Sequence, residues 1–176
     1  MILRAIFTPF IMVTAALLCA GCDMINDELP SYKESSLVTV GDMAPDFTAR
    51  TLQGDIFTLS EERGNVVFVV LFSHTCPDCK ALFNDIVPRM GDIEASGVRM
   101  IAVSRGGTQH EIEEYMLSNG YTFDVIADSS AEIYKLYATA YVPRTYLVDR
   151  DGVIRHTTIE YNATYVDDII QQISHL

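Results

Sequence analysis

Residues 66–80 read VVFVVLFSHTCPDCK and join two patterns that decide the fold. The first seven residues are an unbroken β-branched and aromatic run, which is typical of a strand buried on both faces. The residues after Cys76 follow helical spacing, and Pro77 falls in the first turn, where its missing N–H group is not needed. The stretch therefore predicts a buried strand that passes directly into a helix, with Cys76 and Cys79 at the junction.

The elements on either side of this junction predict a single α/β domain. Short β-prone pieces near residues 46–50 and 55–59 suggest an N-terminal β-hairpin. Strands and helices then alternate until a second hairpin turns at residues 149–152, DRDG, and an amphipathic helix closes the chain. This order predicts a mixed central sheet flanked by helices on both faces. A length of 176 residues suits one such domain with attachments.

Composition and charge exclude several classes of protein. Hydrophobic residues make up 49% of the chain and charged residues 20%, which is a globular composition. The net charge of -12 would repel phosphate backbones, so we expect no nucleic-acid partner. The acidic residues are scattered and contain no calcium-loop pattern. We expect neither a metal nor another cofactor.

Residues 1–21 have the layout of a signal peptide. Arg4 precedes a mostly apolar stretch that is short for a membrane span, and two small residues stand before Cys22. The sequence LLCAGC resembles the lipobox of bacterial lipoproteins, although Cys19 stands where that motif usually has Leu. We therefore expect lipidation at Cys22 after cleavage, with an uncleaved membrane anchor as the alternative.

Residues 22–36 are polar and acidic and lack an apolar period, which predicts a tether between the lipid and the domain. The domain would then occupy residues 37–176. Because the chain is acidic, anionic lipids would not attract it, and attachment would depend on the acyl chains at Cys22. These features predict a location in the bacterial cell envelope, with the domain in the periplasm.

The spacing of Cys76 and Cys79 favours a redox dithiol. Two cysteines supply only half the ligands of a structural zinc site, and covalent haem would require His where Lys80 stands. A disulfide that closes so short a loop would constrain little of the unfolded chain. A helix N-terminus favours the thiolate of Cys76, and Cys79 could then resolve a mixed disulfide. Structural and metal-binding roles are the alternatives.

Three ordered motifs carry a family resemblance: residues 41–54, GDMAPDFTARTLQG; residues 66–80; and residues 133–154, IYKLYATAYVPRTYLVDRDGVI. Together they resemble the thioredoxin-like superfamily, and more narrowly the membrane-anchored, TlpA-like thiol-disulfide oxidoreductases related to AhpC/TSA proteins. The resemblance implies a thioredoxin-like fold and an enzyme of thiol-disulfide exchange. It also implies a cis-proline at Pro143 that faces the dithiol, and pairing of the Val142 backbone with a bound partner.

The chain departs from this family at positions that usually handle a proton. Val70 and Leu82 stand where relatives place an acid that serves the buried thiol. Lys80 and Arg144 are candidate replacements, because a cation near Cys76 would stabilise its thiolate. For Arg144 this is a specific hypothesis.

The predicted function is that of an envelope thiol-disulfide oxidoreductase that reduces protein disulfides and draws electrons from a redox partner. The reducing direction is inferred from the oxidising location. A peroxiredoxin-type peroxidase is one alternative: Ser73 fits that pattern, whereas Val69 and Pro143 stand where such enzymes need Pro and Arg. A lipid-anchored binding module without enzymatic activity is another.

Overall fold

The computed structural model describes residues 29–176 of the chain. An antiparallel pair, β1 and β2, forms the predicted N-terminal hairpin, and five further strands form the central sheet. The strands are β1 Thr48–Arg50, β2 Ile56–Thr58, β3 Val66–Phe72, β4 Val98–Arg105, β5 Val125–Asp128, β6 Arg144–Val148 and β7 Ile154–Ile159. The helices are α1 Pro77–Ile86, α2 Met90–Ala95, α3 Gln109–Asn119, α4 Glu132–Tyr137 and α5 Tyr165–Ile173.

The central sheet has the order β5-β4-β3-β6-β7, with β3 in the middle. β3 pairs in parallel with β4 and antiparallel with β6, so Val69 lies between Ile101 and Tyr146. All seven residues of β3 are buried, as the uninterrupted apolar run predicts. The predicted mixed sheet is confirmed.

Alternate residues of β3 face two separate apolar layers, because successive side chains of a strand point to opposite faces. Val70 and Phe72 belong to the layer that α1, α3 and α5 cover, whereas Val69 and Leu71 belong to the layer that α4 and the N-terminal hairpin cover. The core is therefore double, with helices on both faces, and the dithiol lies on the α1 face.

Local sequence signals account for the ends of the helices. After α1, Pro88 lies in a 3-10 turn that separates this helix from α2, as expected for a residue that lacks a backbone N–H. α3 begins with a capping box between Thr108 and Glu111 and ends at Gly120, whose φ of +69° is the left-handed geometry that glycine tolerates. Within residues 29–176, every helix is too short or too polar to cross a membrane.

Two boundaries depend on contacts with distant parts of the chain. Strand β5 begins only at Val125, because the preceding Tyr121 and Phe123 pack their rings into the core from a loop. The end of the predicted tether is also packed: Ser35 is buried, and its carbonyl accepts the N–H of Thr139 at 2.9 Å. The folded part thus begins before residue 37. The predicted signal peptide, the lipidation site and the tether up to residue 28 lie outside the described residues.

Candidate active site

Cys76 lies at the point where β3 passes into α1. It is the N-cap residue of α1, and its sulfur accepts the backbone N–H of Cys79 at 3.3 Å. The sulfur thus takes the place that a Ser or Asn oxygen commonly occupies at a helix N-terminus. Free N–H groups and the helix dipole at such a position favour a thiolate, which is the reactive form in disulfide exchange.

Cys79 is fully buried one turn further along α1. Burial raises the pKa of its thiol far above the ordinary value, and the hydrogen bond with Cys76 raises the pKa further. The N–H of Ser73 donates to the Cys79 sulfur at 3.4 Å and acts in the opposite direction. A partly exposed first cysteine and a shielded second one suit the predicted roles of attacking and resolving thiol.

The loop that carries Pro143 faces this dithiol. The Val142–Pro143 peptide bond is cis, as the resemblance implied. The Cys76 thiol donates to the Val142 carbonyl at 3.5 Å, so the backbone before Pro143 lies directly over the reactive sulfur. The structure therefore brings together four of the five predicted site residues, and Cys22 is outside the described residues.

The two positions where relatives usually have an acid, and this chain does not, are buried and apolar. Val70 and Leu82 belong to the same apolar layer as Cys79. Among residues 29–176, five buried side-chain atoms have no hydrogen-bond partner, and they include the Tyr115 hydroxyl and the Nδ1 atom of His74. Such groups are rare, and each calls for an explanation.

Tyr115 lies close to the dithiol. Burial raises the pKa of its hydroxyl, and the nearby charges of Tyr121, Cys79 and Cys76 raise it further. Sequence reasoning missed this residue. Its position in α3, three residues after the buried Ile112, places it toward the inner face of that helix and could have identified it.

The hypothesis that Arg144 stabilises the Cys76 thiolate is wrong. In the register of β3 and β6, Arg144 lies beside Leu71, whose side chain faces away from α1. Its guanidinium is 1% exposed and donates to the Ala140 carbonyl at 2.9 Å and to two serine hydroxyls of the N-terminal segment. Lys80 is exposed on α1. Its role in stabilising the Cys76 thiolate stays a prediction.

Comparison with known families matches residues 40–157 to the AhpC/TSA family, which is more than half of the chain. The chain belongs to this family.

Similar proteins carry names from thiol-disulfide chemistry. The thiol-disulfide oxidoreductase ResA of Geobacillus thermodenitrificans is 28% identical over 127 residues, which are 70% of this chain and 71% of the relative. A solution structure of a Bacteroides thetaiotaomicron protein, assigned as a protein disulfide isomerase, superposes with a TM-score of 0.75 at 29% identity over 80% of this chain and 91% of that one. A Chlorobium tepidum structure, assigned as the thiol:disulfide interchange protein DsbE, has a TM-score of 0.72 at 23% identity over 78% and 97% of the two chains.

These comparisons confirm the predicted thioredoxin-like fold and the predicted enzyme class, a thiol-disulfide oxidoreductase. The roles predicted for Cys76, Cys79, Val142 and Pro143 stay predictions.

Proposed function

We propose that this protein is a cell-envelope thiol-disulfide oxidoreductase that reduces disulfides in other proteins through Cys76 and Cys79. The observation that supports this most directly is the position of the Cys76 sulfur, at the start of α1 and 3.5 Å from the Val142 carbonyl. Cys79 is buried directly behind it. A partner can therefore approach Cys76 from its exposed side, and the second thiol lies on its buried side.

In the proposed reaction, the Cys76 thiolate attacks one sulfur of a partner's disulfide. That disulfide breaks, the partner's second sulfur leaves as a thiolate, and a mixed disulfide joins Cys76 to the partner. The partner chain lies along the backbone of Val142 as an added strand. Cys79 then gives up its proton to the surrounding water and attacks the Cys76 sulfur, which breaks the bond between Cys76 and the partner. The partner's sulfur leaves as a thiolate, and Cys76 and Cys79 are joined in a disulfide. The partner now has both sulfurs reduced, and two electrons have passed to it from the enzyme.

A complete cycle requires a second protein that reduces the new Cys76–Cys79 disulfide. We propose that this electron donor is a redox partner in the membrane, and that the domain is held in the periplasm by a lipid at Cys22. The signal-peptide layout of residues 1–21 and the LLCAGC sequence support the anchor.

Insulin reduction in the presence of dithiothreitol tests the activity. We expect the wild type to accelerate the reaction and Cys76→Ser to lose that acceleration. Cys79→Ser keeps the attacking thiol but cannot resolve the intermediate, so it should accumulate mixed disulfides, and those formed in cells would identify the natural partners. A wild type without acceleration would contradict the proposal.

Peroxide consumption would instead support the peroxidase alternative. In the structure, the Ser73 hydroxyl bonds to the Thr75 hydroxyl at 3.1 Å rather than to the Cys76 sulfur.

The proposed direction of electron flow has its own measurement. If the protein acts as a reductant, rapid acid quenching and thiol alkylation of growing cells should find part of the Cys76–Cys79 pair reduced. That reduced fraction should disappear when the electron supply is blocked. A pair that is fully oxidised in growing cells, whether or not the electron supply is blocked, would point to an oxidant.

A further inference from the structure

Residues 30–36, here called the N-terminal strap, lie along residues 139–143, here called the Pro143 loop. The backbone contact is direct, because the carbonyl of Ser35 accepts the N–H of Thr139 at 2.9 Å. The strap therefore packs beside the loop that lies over the dithiol. The polar composition of the strap does not by itself predict that it packs beside this loop.

Arg144 joins the strap to the loop. Its two Nη atoms donate to the hydroxyls of Ser36 and Ser35, at 2.8 and 2.5 Å, and its Nε donates to the Ala140 carbonyl at 2.9 Å. No carboxylate pairs with this buried cation among the described residues. Since a buried charge is stable only when its hydrogen-bonding groups are held in place, the arrangement requires an ordered strap.

The strap also contacts two residues close to Pro143 that have left-handed backbone geometry. Tyr141 has a φ of 69° and Glu160, directly after β7, a φ of 62°. For residues other than glycine, such geometry is unfavourable and persists only where surrounding contacts enforce it. Tyr141 donates its hydroxyl to the Pro30 carbonyl at 2.7 Å, and Tyr32 donates to the Glu160 carboxylate. The N–H of Glu160 in turn donates to the Pro143 carbonyl at 2.7 Å.

We propose that the strap is part of the partner-binding site, in which Tyr32 and Tyr141 act as positioning residues that hold the Val142 backbone ready to pair with a partner's chain. This inference rests on the proposed function. The two tyrosine rings pack edge to face with centroids 4.9 Å apart, and Tyr32 is 48% exposed. The tyrosine pair therefore fixes the strap against the Pro143 loop.

The test compares two substitutions that remove the same kind of bond. Tyr141→Phe removes the bond from a tyrosine hydroxyl to the Pro30 carbonyl, and Tyr137→Phe removes one to the Pro45 carbonyl at 2.6 Å, outside the strap and the Pro143 loop. We expect each variant to lose stability to a similar, small extent in urea unfolding. Only Tyr141→Phe should slow the reduction of insulin, by about three- to ten-fold.

A small disulfide, 5,5′-dithiobis(2-nitrobenzoic acid), provides the second arm, since it reacts with Cys76 without a strand to pair. Both variants should react with it at the wild-type rate. The inference is overturned if Tyr141→Phe reduces insulin as fast as the wild type, if both variants slow equally, or if the reaction with the small disulfide slows in proportion.

Hydrogen exchange tests the same inference without any activity. Amides of residues 139–142 should exchange faster in Tyr141→Phe than in the wild type and in Tyr137→Phe, and equal exchange in all three proteins overturns the inference. A wild type that fails to reduce insulin would refute the proposed function, while the exchange measurement would still decide whether the strap holds the loop.

Discussion

The buried thiol of Cys79 predicts that the reduced protein loses stability in mild alkali. Burial raises the pKa of Cys79 in the folded state, whereas a cysteine in an unfolded chain has a pKa of about 8.5. Between these two values the folded state binds more protons than the unfolded state. The free energy of unfolding must therefore decrease as the pH rises above the unfolded value.

The size of this effect follows from the same difference. At pH 9.5, ionisation of Cys79 stabilises the unfolded chain by about 1.4 kcal/mol, whereas the folded state gains nothing because its thiol stays protonated. The buried tyrosines, such as Tyr137, have raised pKa values too, and with an unfolded pKa of about 10 each already contributes about 0.2 kcal/mol at pH 9.5. These contributions are the same in a variant that lacks only the Cys79 thiol, so comparison with that variant isolates the thiol.

Urea unfolding at several pH values in this range, with a phosphine reductant present, measures the effect. Cys79→Ser is the matched control, because its hydroxyl does not ionise there. We expect the wild type to lose about 1.4 kcal/mol more than the control between pH 7.5 and 9.5. Parallel curves for the two proteins would refute the reasoning, and would mean that Cys79 ionises in the folded state as easily as in the unfolded chain.

Two further substitutions test other parts of the site. Gly106 and Gly107 have φ values of +79° and +85°, so Ala at either position should cost about 1–2 kcal/mol. Only at Gly107 would the new Cβ lie 2.9 Å from the His74 ring, so urea unfolding should find Gly107→Ala less stable than Gly106→Ala, and equal losses would contradict this. Arg144→Met should change the pH profile of Cys76 alkylation by iodoacetamide no more than Tyr141→Phe does, because Arg144 lies on the other face of the sheet and both changes loosen the same loop; a larger shift would contradict this.

The parts of the fold that sequence could predict are those with local causes. The apolar run of β3, the helical spacing after Cys76 and the glycine that ends α3 each act over a few residues. The position of Cys76 at the junction follows from the same two patterns. Together with the family resemblance, these signals were enough to locate the dithiol and Pro143.

The remaining features depend on contacts between distant parts of the chain. Which face of the sheet Arg144 occupies is set by the pairing of β6 with β3, and a shift of one residue would reverse it. The strap has the composition of a tether, yet Ser35 and Ser36 bond to a side chain more than 100 residues away. Neither arrangement leaves a periodic signal in the sequence. Tyr115 is of interest because it lies near Cys76 and Cys79. Those cysteines belong to another element, so the pattern of α3 alone does not reveal the contact.

The strap also bears on how the domain would be attached to a membrane. Pro30 lies against Tyr141, one residue before Val142, whose carbonyl accepts the Cys76 thiol. The described part of the chain therefore begins beside the Pro143 loop. With a lipid at Cys22, as proposed, Leu29 follows seven residues later, and seven extended residues span at most about 25 Å. Such a short connection would keep the domain close to the bilayer, so that disulfides exposed near the lipid headgroups would be within its reach.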